Sequence, residues 1–190
     1  MIVKSFEVEK IKLNKNHLFL IYGSNQGYKN QVIKKFLEKS FNDEILRFDE
    51  NEILNNHEQI ISSLMNKSLF DDSKTILISR ASDKILKFIN HVIEKKIEKI
   101  KIIINSDNLE KKSKLRNLFE KENDLICIPF YEDSYKSLSI ISQNFFREKK
   151  IKISQEIINL LIDRSRGDRG NLINELNKIE NLSMTKKNID

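Results

Sequence analysis

Up to Pro129, short apolar runs alternate with longer segments of mixed character. Five runs read as strands: Leu18–Tyr22, Glu44–Phe48, Thr75–Ser79, Lys101–Asn105 and Leu125–Pro129. Three of them hold nearly unbroken apolar stretches, Leu18-Phe19-Leu20-Ile21, Ile76-Leu77-Ile78 and Ile102-Ile103-Ile104. A strand with one wet face alternates apolar and polar positions, whereas one covered on both faces does not. These runs therefore predict a mostly parallel sheet with helices on both sides. The intervening segments have helical spacing. Within Asn30–Lys39 the side chains Val32, Ile33, Phe36 and Leu37 share one side, and Asp83–Ile97 repeats Ile85, Phe88, Ile89, Val92, Ile93 and Ile97 at steps of three and four. Strand and helix in alternation predict α/β layers joined by right-handed crossovers.

Beyond Pro129 the strands cease. Ser134–Lys149, Ser154–Arg164 and Asp168–Ser183 all carry helical patterns, with Ser154 and Glu156 as a start signal and Gly167-Asp168 as a stop followed by an Asp N-cap. The expected organisation is a five-stranded α/β domain over 1–133 and a small three-helix domain over 134–190, with a frayed polar end at Met184–Asp190.

Composition narrows the possibilities. With 39% hydrophobic and 33% charged residues, the chain has enough apolar mass for a core and is not of the disordered class. Its net charge of +6 makes nucleic acid a partner to consider. Asn and Ile are abundant beside Lys, and all three are read from A/T-rich codons, so the basicity has an explanation that involves no DNA. The runs Glu94-Lys95-Lys96 and Glu110-Lys111-Lys112 read as solvated helix faces. Cys127, alone in the apolar run Leu125–Ile128, reads as a buried thiol. His17, His57 and His91 are far apart and show no metal-ligand spacing, so no metal or cofactor is expected. No apolar run approaches ~18 residues and the start lacks a signal-peptide core, which predicts a cytoplasmic protein with no membrane partner.

The most informative segment is Leu18–Asn30, a buried strand running into a glycine-bearing turn and then a helix. That is the setting of a phosphate-binding loop, G-x-x-x-x-G-K-[S/T]. Gly23 and Lys29 match, and Gly27 lies within the loop. Tyr28 stands at the second glycine position and Asn30 at the magnesium-binding hydroxyl. A ring obstructs the wrapping of backbone amides around phosphates, and an amide is no substitute for the hydroxyl. The strand Thr75–Ser79 ends in Arg80-Ala81, without the carboxylate that would help hold magnesium.

Four stretches together resemble the delta subunit of bacterial DNA polymerase III, the clamp-loader subunit of the AAA+ superfamily. They are the degenerate loop Leu20–Gly27, the segment Ser68-Leu69-Phe70-Asp71-Asp72-Ser73-Lys74, the pair Lys112–Glu120 and Ile126–Asp133, and Gly167–Lys178. The resemblance implies an AAA+-like module without ATPase activity followed by a helical lid. It also implies a third, collar-forming domain, which this chain, as a fragment, would lack. The implied partners are the sliding clamp (beta subunit) and other clamp-loader subunits, with DNA bound weakly or indirectly. The implied clamp contact is Leu69-Phe70, with Ser68 and Met65 beside it. The residues agree with this: an amphipathic segment Ile60–Ser68 ends in two large apolar side chains and then Asp71-Asp72, although Leu69 and Phe70 could equally cap the core beside the next strand. Arg169 sits where active members place a nucleotide-sensing arginine, and with the loop degraded it is expected to be a structural or interface charge. Two other readings of the residues stand beside this one: a working P-loop ATPase, and a basic nucleic-acid-binding module, the latter without aromatic residues interleaved among the basic clusters.

Overall fold

The structure, a computed structural model, describes residues 1–10, 18–38, 44–65, 73–97 and 100–185. Five strands, β1 (Leu18–Tyr22), β2 (Glu44–Asp49), β3 (Lys74–Ser79), β4 (Ile100–Asn105) and β5 (Ile126–Pro129), form one sheet in the order β2-β3-β4-β1-β5. Every pairing is parallel. The apolar runs place β1 and β4 in the middle, where both faces are covered, and all five residues of β1 are buried. On one face Leu20, Tyr22, Ile76, Ile78, Ile102 and Ile104 form a core with Ile53, Ile60, Ile61, Leu64, Phe88, Ile89, Leu115 and Phe119 from the crossover helices. On the other, Phe19 meets Phe36 with ring centroids 5.4 Å apart. Cys127 on β5 is buried as expected, and burial pushes its thiol up to about 12.

The crossover helices are α1 (Gln26–Glu38), α2 (Glu50–Asn55), α3 (His57–Met65), α4 (Leu86–Glu94) and α5 (Lys114–Lys121). The start of α2 is a capping box, in which the Asp49 carboxylate accepts the Glu52 amide and Glu52 accepts the Asp49 amide. The start of α5 is held from outside as well as from its own N-cap. Asp83 accepts hydrogen bonds from the Ser113 hydroxyl and the Lys114 and Leu115 amides. Burial would raise the Asp83 carboxyl, but these bonds outweigh it and hold the group below its ordinary value.

Compactness divides the chain into two units, one of 1–24 and 31–130, the other of 25–30 and 131–190. The second contains α6 (Tyr135–Glu148), α7 (Gln155–Ser165) and α8 (Arg169–Thr185), around a core of Leu138, Phe146, Ile158, Leu161, Ile162, Leu172 and Leu176. Ser134 and Ser154 cap α6 and α7 through their hydroxyls. The stop signal works as read: α7 ends on Arg166 and Gly167 with φ of 53° and 74°, and Asp168 then caps α8 by accepting the Asn171 amide. Among the described residues no helix is long and apolar enough to cross a membrane.

Candidate functional site

The turn after β1 begins with a backbone constraint. Gly23 has φ of +124°, a region open to glycine, and a Cβ there would overlap the backbone carbonyl of Phe130. The Gly23 amide donates to the Asp107 carbonyl at 3.1 Å, and the Phe130 amide donates to Tyr22 at 2.7 Å. The turn is therefore fixed by the ends of the neighbouring strands.

The following residues, 25–30, open α1 and belong to the second unit. Asn25 is buried and acts as the N-cap: its Oδ1 accepts the Tyr28 amide at 3.0 Å, so an amide that a phosphate loop would turn toward its anion is taken up by a side chain. Its Nδ2 donates to the Tyr131 carbonyl at 3.0 Å and to Asp133 Oδ2 at 2.7 Å. Asp133 is the hub of the cluster. Arg169 reaches it with two parallel bonds, Nε to Oδ2 at 2.7 Å and Nη2 to Oδ1 at 2.6 Å, and the Ser137 hydroxyl adds a bond of 3.0 Å. The two charged side chains are only 12% and 8% exposed, Arg169 and Asp133 respectively. Burial pushes the Asp133 carboxyl up, but the hydrogen bonds from Arg169 and Asn25 outweigh it and leave the group below the ordinary carboxylate value.

Arg169 also lies over the Tyr28 ring, 3.7 Å from its centroid. Gly27 faces Gly170 so closely that a Cβ would overlap the Gly170 amide nitrogen. The ring at position 28 is thus the platform for the helical unit's arginine. Lys29 is buried and Asn30 is exposed. Of the residues singled out in the sequence, the structure joins Gly27, Tyr28 and Arg169. Asn25 and Asp133, which the sequence pattern does not single out, complete the cluster. An Asn just before a helix is a capping signal, whereas Asp133, 36 residues from Arg169 and 108 from Asn25, carries no local one.

At the end of β3, Arg80 takes a left-handed φ of 57° and donates to Asp49 Oδ2 at 2.6 Å. Asp49, at the end of the adjacent strand, is thereby divided between Arg80 and the cap of α2, and its carboxyl is lowered first by the Glu52 amide and then by Arg80. Among the described residues no group of three or more His, Cys, Asp or Glu is placed to hold a metal ion. Elsewhere, α3 buries Ile60, Ile61 and Leu64 and ends on Met65, which is 50% exposed. Ser68, Leu69 and Phe70 lie outside the described residues.

No family model matches the chain, and no curated protein matches it. Solved structures do. The chain is similar to the Bacillus subtilis DNA clamp loader delta protein, with a TM-score of 0.61 at 14% identity, covering 94% of this chain and 57% of that one. It is similar to a RuvB of Thermotoga maritima at TM-score 0.57 and 12% identity, covering 95% and 60%. An AMPPCP-bound DnaA from Aquifex aeolicus gives 0.54 at 14% identity, covering 92% and 58%. The chain thus spans less than two thirds of the length of each. The likeness is one of fold: an α/β module with five parallel strands, accompanied by helices.

Proposed function

We propose that the chain is a non-catalytic clamp-loader subunit of the delta type, which binds a sliding clamp through Leu69 and Phe70, flanked by Met65 and Ser68. In this reading 1–133 form the AAA+-like module that carries the clamp contact and 134–190 its helical lid. The observation that carries the reading is the cluster around Asp133. A nucleotide-sensing arginine must be available to a phosphate, whereas Arg169 is committed to a buried carboxylate and to the Tyr28 ring. Binding a nucleotide through Arg169 would leave Asp133 buried with its main charge partner gone, a change that costs about 3–5 kcal/mol when a buried pair loses one member. A subunit that spends no ATP can still act on a ring clamp. It binds the open form of one ring interface better than the closed form and so shifts an existing equilibrium. The similarity to the clamp loader delta protein supports this choice among AAA+ functions, and Met65, exposed at the end of α3, is an apolar flank for such a contact.

Two buried apolar side chains supply roughly 3–6 kcal/mol before ordering costs. The test is clamp binding by surface plasmon resonance beside thermal melting by circular dichroism, on wild type and a Leu69→Ala/Phe70→Ala double variant. The expected result is an unchanged melt with affinity lowered at least tenfold. A double variant that folds and binds like wild type overturns the assignment of the contact. Titration calorimetry with Mg-ATP is expected to show no saturable heat, and micromolar binding with turnover would favour the ATPase reading.

A further inference from the structure

His57 and His91 are 34 residues apart in sequence and show no ligand spacing there, yet the fold sets His57 Nε2 3.1 Å from His91 Nδ1. His57 opens α3 and His91 lies in the last turn of α4. We propose that these two imidazoles form a chelating site for a borderline divalent transition metal ion, the class represented by Zn2+ and Cu2+, tying α3 to α4.

The distance is the first argument. Imidazole nitrogens bind Zn2+ at about 2.0–2.1 Å, so two cis ligands stand about 2.9 Å apart at a right angle and about 3.4 Å apart at the tetrahedral angle. The observed separation, that of the hydrogen bond between the rings, falls between these limits, so the rings would have to turn for both lone pairs to meet one ion but not to come closer together or move apart. The second argument is preorganisation. The His57 ring is held edge-on against Phe88, centroids 5.6 Å apart at 76°, and the two histidine rings are tilted by 45° at 5.4 Å. The third is room. A cavity of about 460 Å³ opens beside His57, and since among the described residues no third His, Cys, Asp or Glu stands with the pair, solvent would complete the coordination.

The charges around the pair set the expected strength. Lys84 and Lys87 line the same cavity and oppose a cation, while Glu58 favours one. In the metal-free protein one proton lies between the two nitrogens. Metal binding requires the ring that carries it to adopt its other tautomer, with the proton on His57 Nδ1 or His91 Nε2. No proton is released if both rings begin neutral. The inter-ring hydrogen bond and the metal therefore exclude each other.

The test is calorimetry with Zn2+ on tag-free, chelator-treated full chain at neutral pH, with melting followed in parallel. One ion per chain is expected, with the melting temperature rising by about 4 °C at tenfold excess over the dissociation constant. His57→Gln and His91→Gln should each weaken binding at least tenfold, and His17→Gln should not. Electron paramagnetic resonance of the one-to-one Cu2+ complex of the wild type gives a readout that does not depend on the variants folding. Hyperfine structure from two imidazole nitrogens supports the site. No saturable binding, binding unchanged in both variants, or a copper spectrum without two imidazole nitrogens overturns it.

Discussion

The turn after β1 and the end of α3 treat their chemistry in opposite ways. At the turn, charged and polar side chains are gathered inward and matched to one another: Asp133 accepts from Arg169, Asn25 and Ser137, and Tyr28 lies under the guanidinium. At the end of α3 an apolar side chain, Met65, follows the buried Ile60, Ile61 and Leu64 and is half exposed. A pair satisfied inside the protein has little left to offer a ligand. An apolar side chain without cover gains by finding one. The contrast agrees with the proposed placing of the partner contact beside α3 rather than at the turn after β1.

The largest effect that would break this comparison is at Asp133. Asp133→Ala leaves Arg169 largely buried without its partner and is expected to cost about 4 kcal/mol in denaturant unfolding. A loss below 1 kcal/mol would mean that Arg169 is free to turn elsewhere. The same group gives a pH signature. Its folded-state pKa lies below the unfolded value, near 3.9, so its stabilisation is complete well above that value and is lost as pH falls through the folded one. Wild type should lose stability between about pH 5 and pH 3 more steeply than Asp133→Asn, and equal slopes would contradict the assignment.

Next in size is Gly27→Ala. Alanine gains about 1 kcal/mol of helix propensity, but its Cβ would overlap the Gly170 backbone, which cannot swing aside as a side chain can. A net loss of about 1–2 kcal/mol is expected from thermal melts, and a gain would show that Gly27 and Gly170 do not meet. The smallest effect is at Met65. If the proposed clamp contact holds, Met65→Ser should leave the melting temperature within a degree or two while weakening clamp binding by about 1 kcal/mol, roughly fivefold. A large drop in melting temperature would return Met65 to the core.

The strands were legible because burial on both faces removes polar residues from the run, so β1 needed no correction and β3 and β4 only one residue each. Two helices were less so. The helix α2 holds only Ile53 and Leu54 as apolar residues, too few for a periodic pattern, although Asp49-Glu50-Asn51-Glu52 has the D-x-x-E spacing of a capping box. The helical spacing places the start of α1 at Asn30, four residues late, because Gly27 reads as a turn signal. It lies in the first helical turn, and its missing side chain serves the approach of Gly170. Arg169 was singled out without its partner. Nothing periodic or local marks Asp133, whose role exists only once distant segments have met. The histidines show the same limit: spacing rules find ligands on one element and miss a pair that packing brings together from two.

That dependence on distant segments bears on how fast the molecule comes apart. The Asp133 cluster needs Asn25, Tyr28 and Arg169 in place at once, and closing so long a loop has to be compensated before its bonds can form. Interactions of this kind are expected to form late, after the transition state for folding. Their loss leaves the folding rate nearly unchanged and appears in the unfolding rate. Stopped-flow chevrons of Asp133→Ala should therefore keep the wild-type refolding limb and raise the unfolding limb. By this reckoning the buried ion pair acts as a latch, setting how long the folded chain persists more than how quickly it is reached.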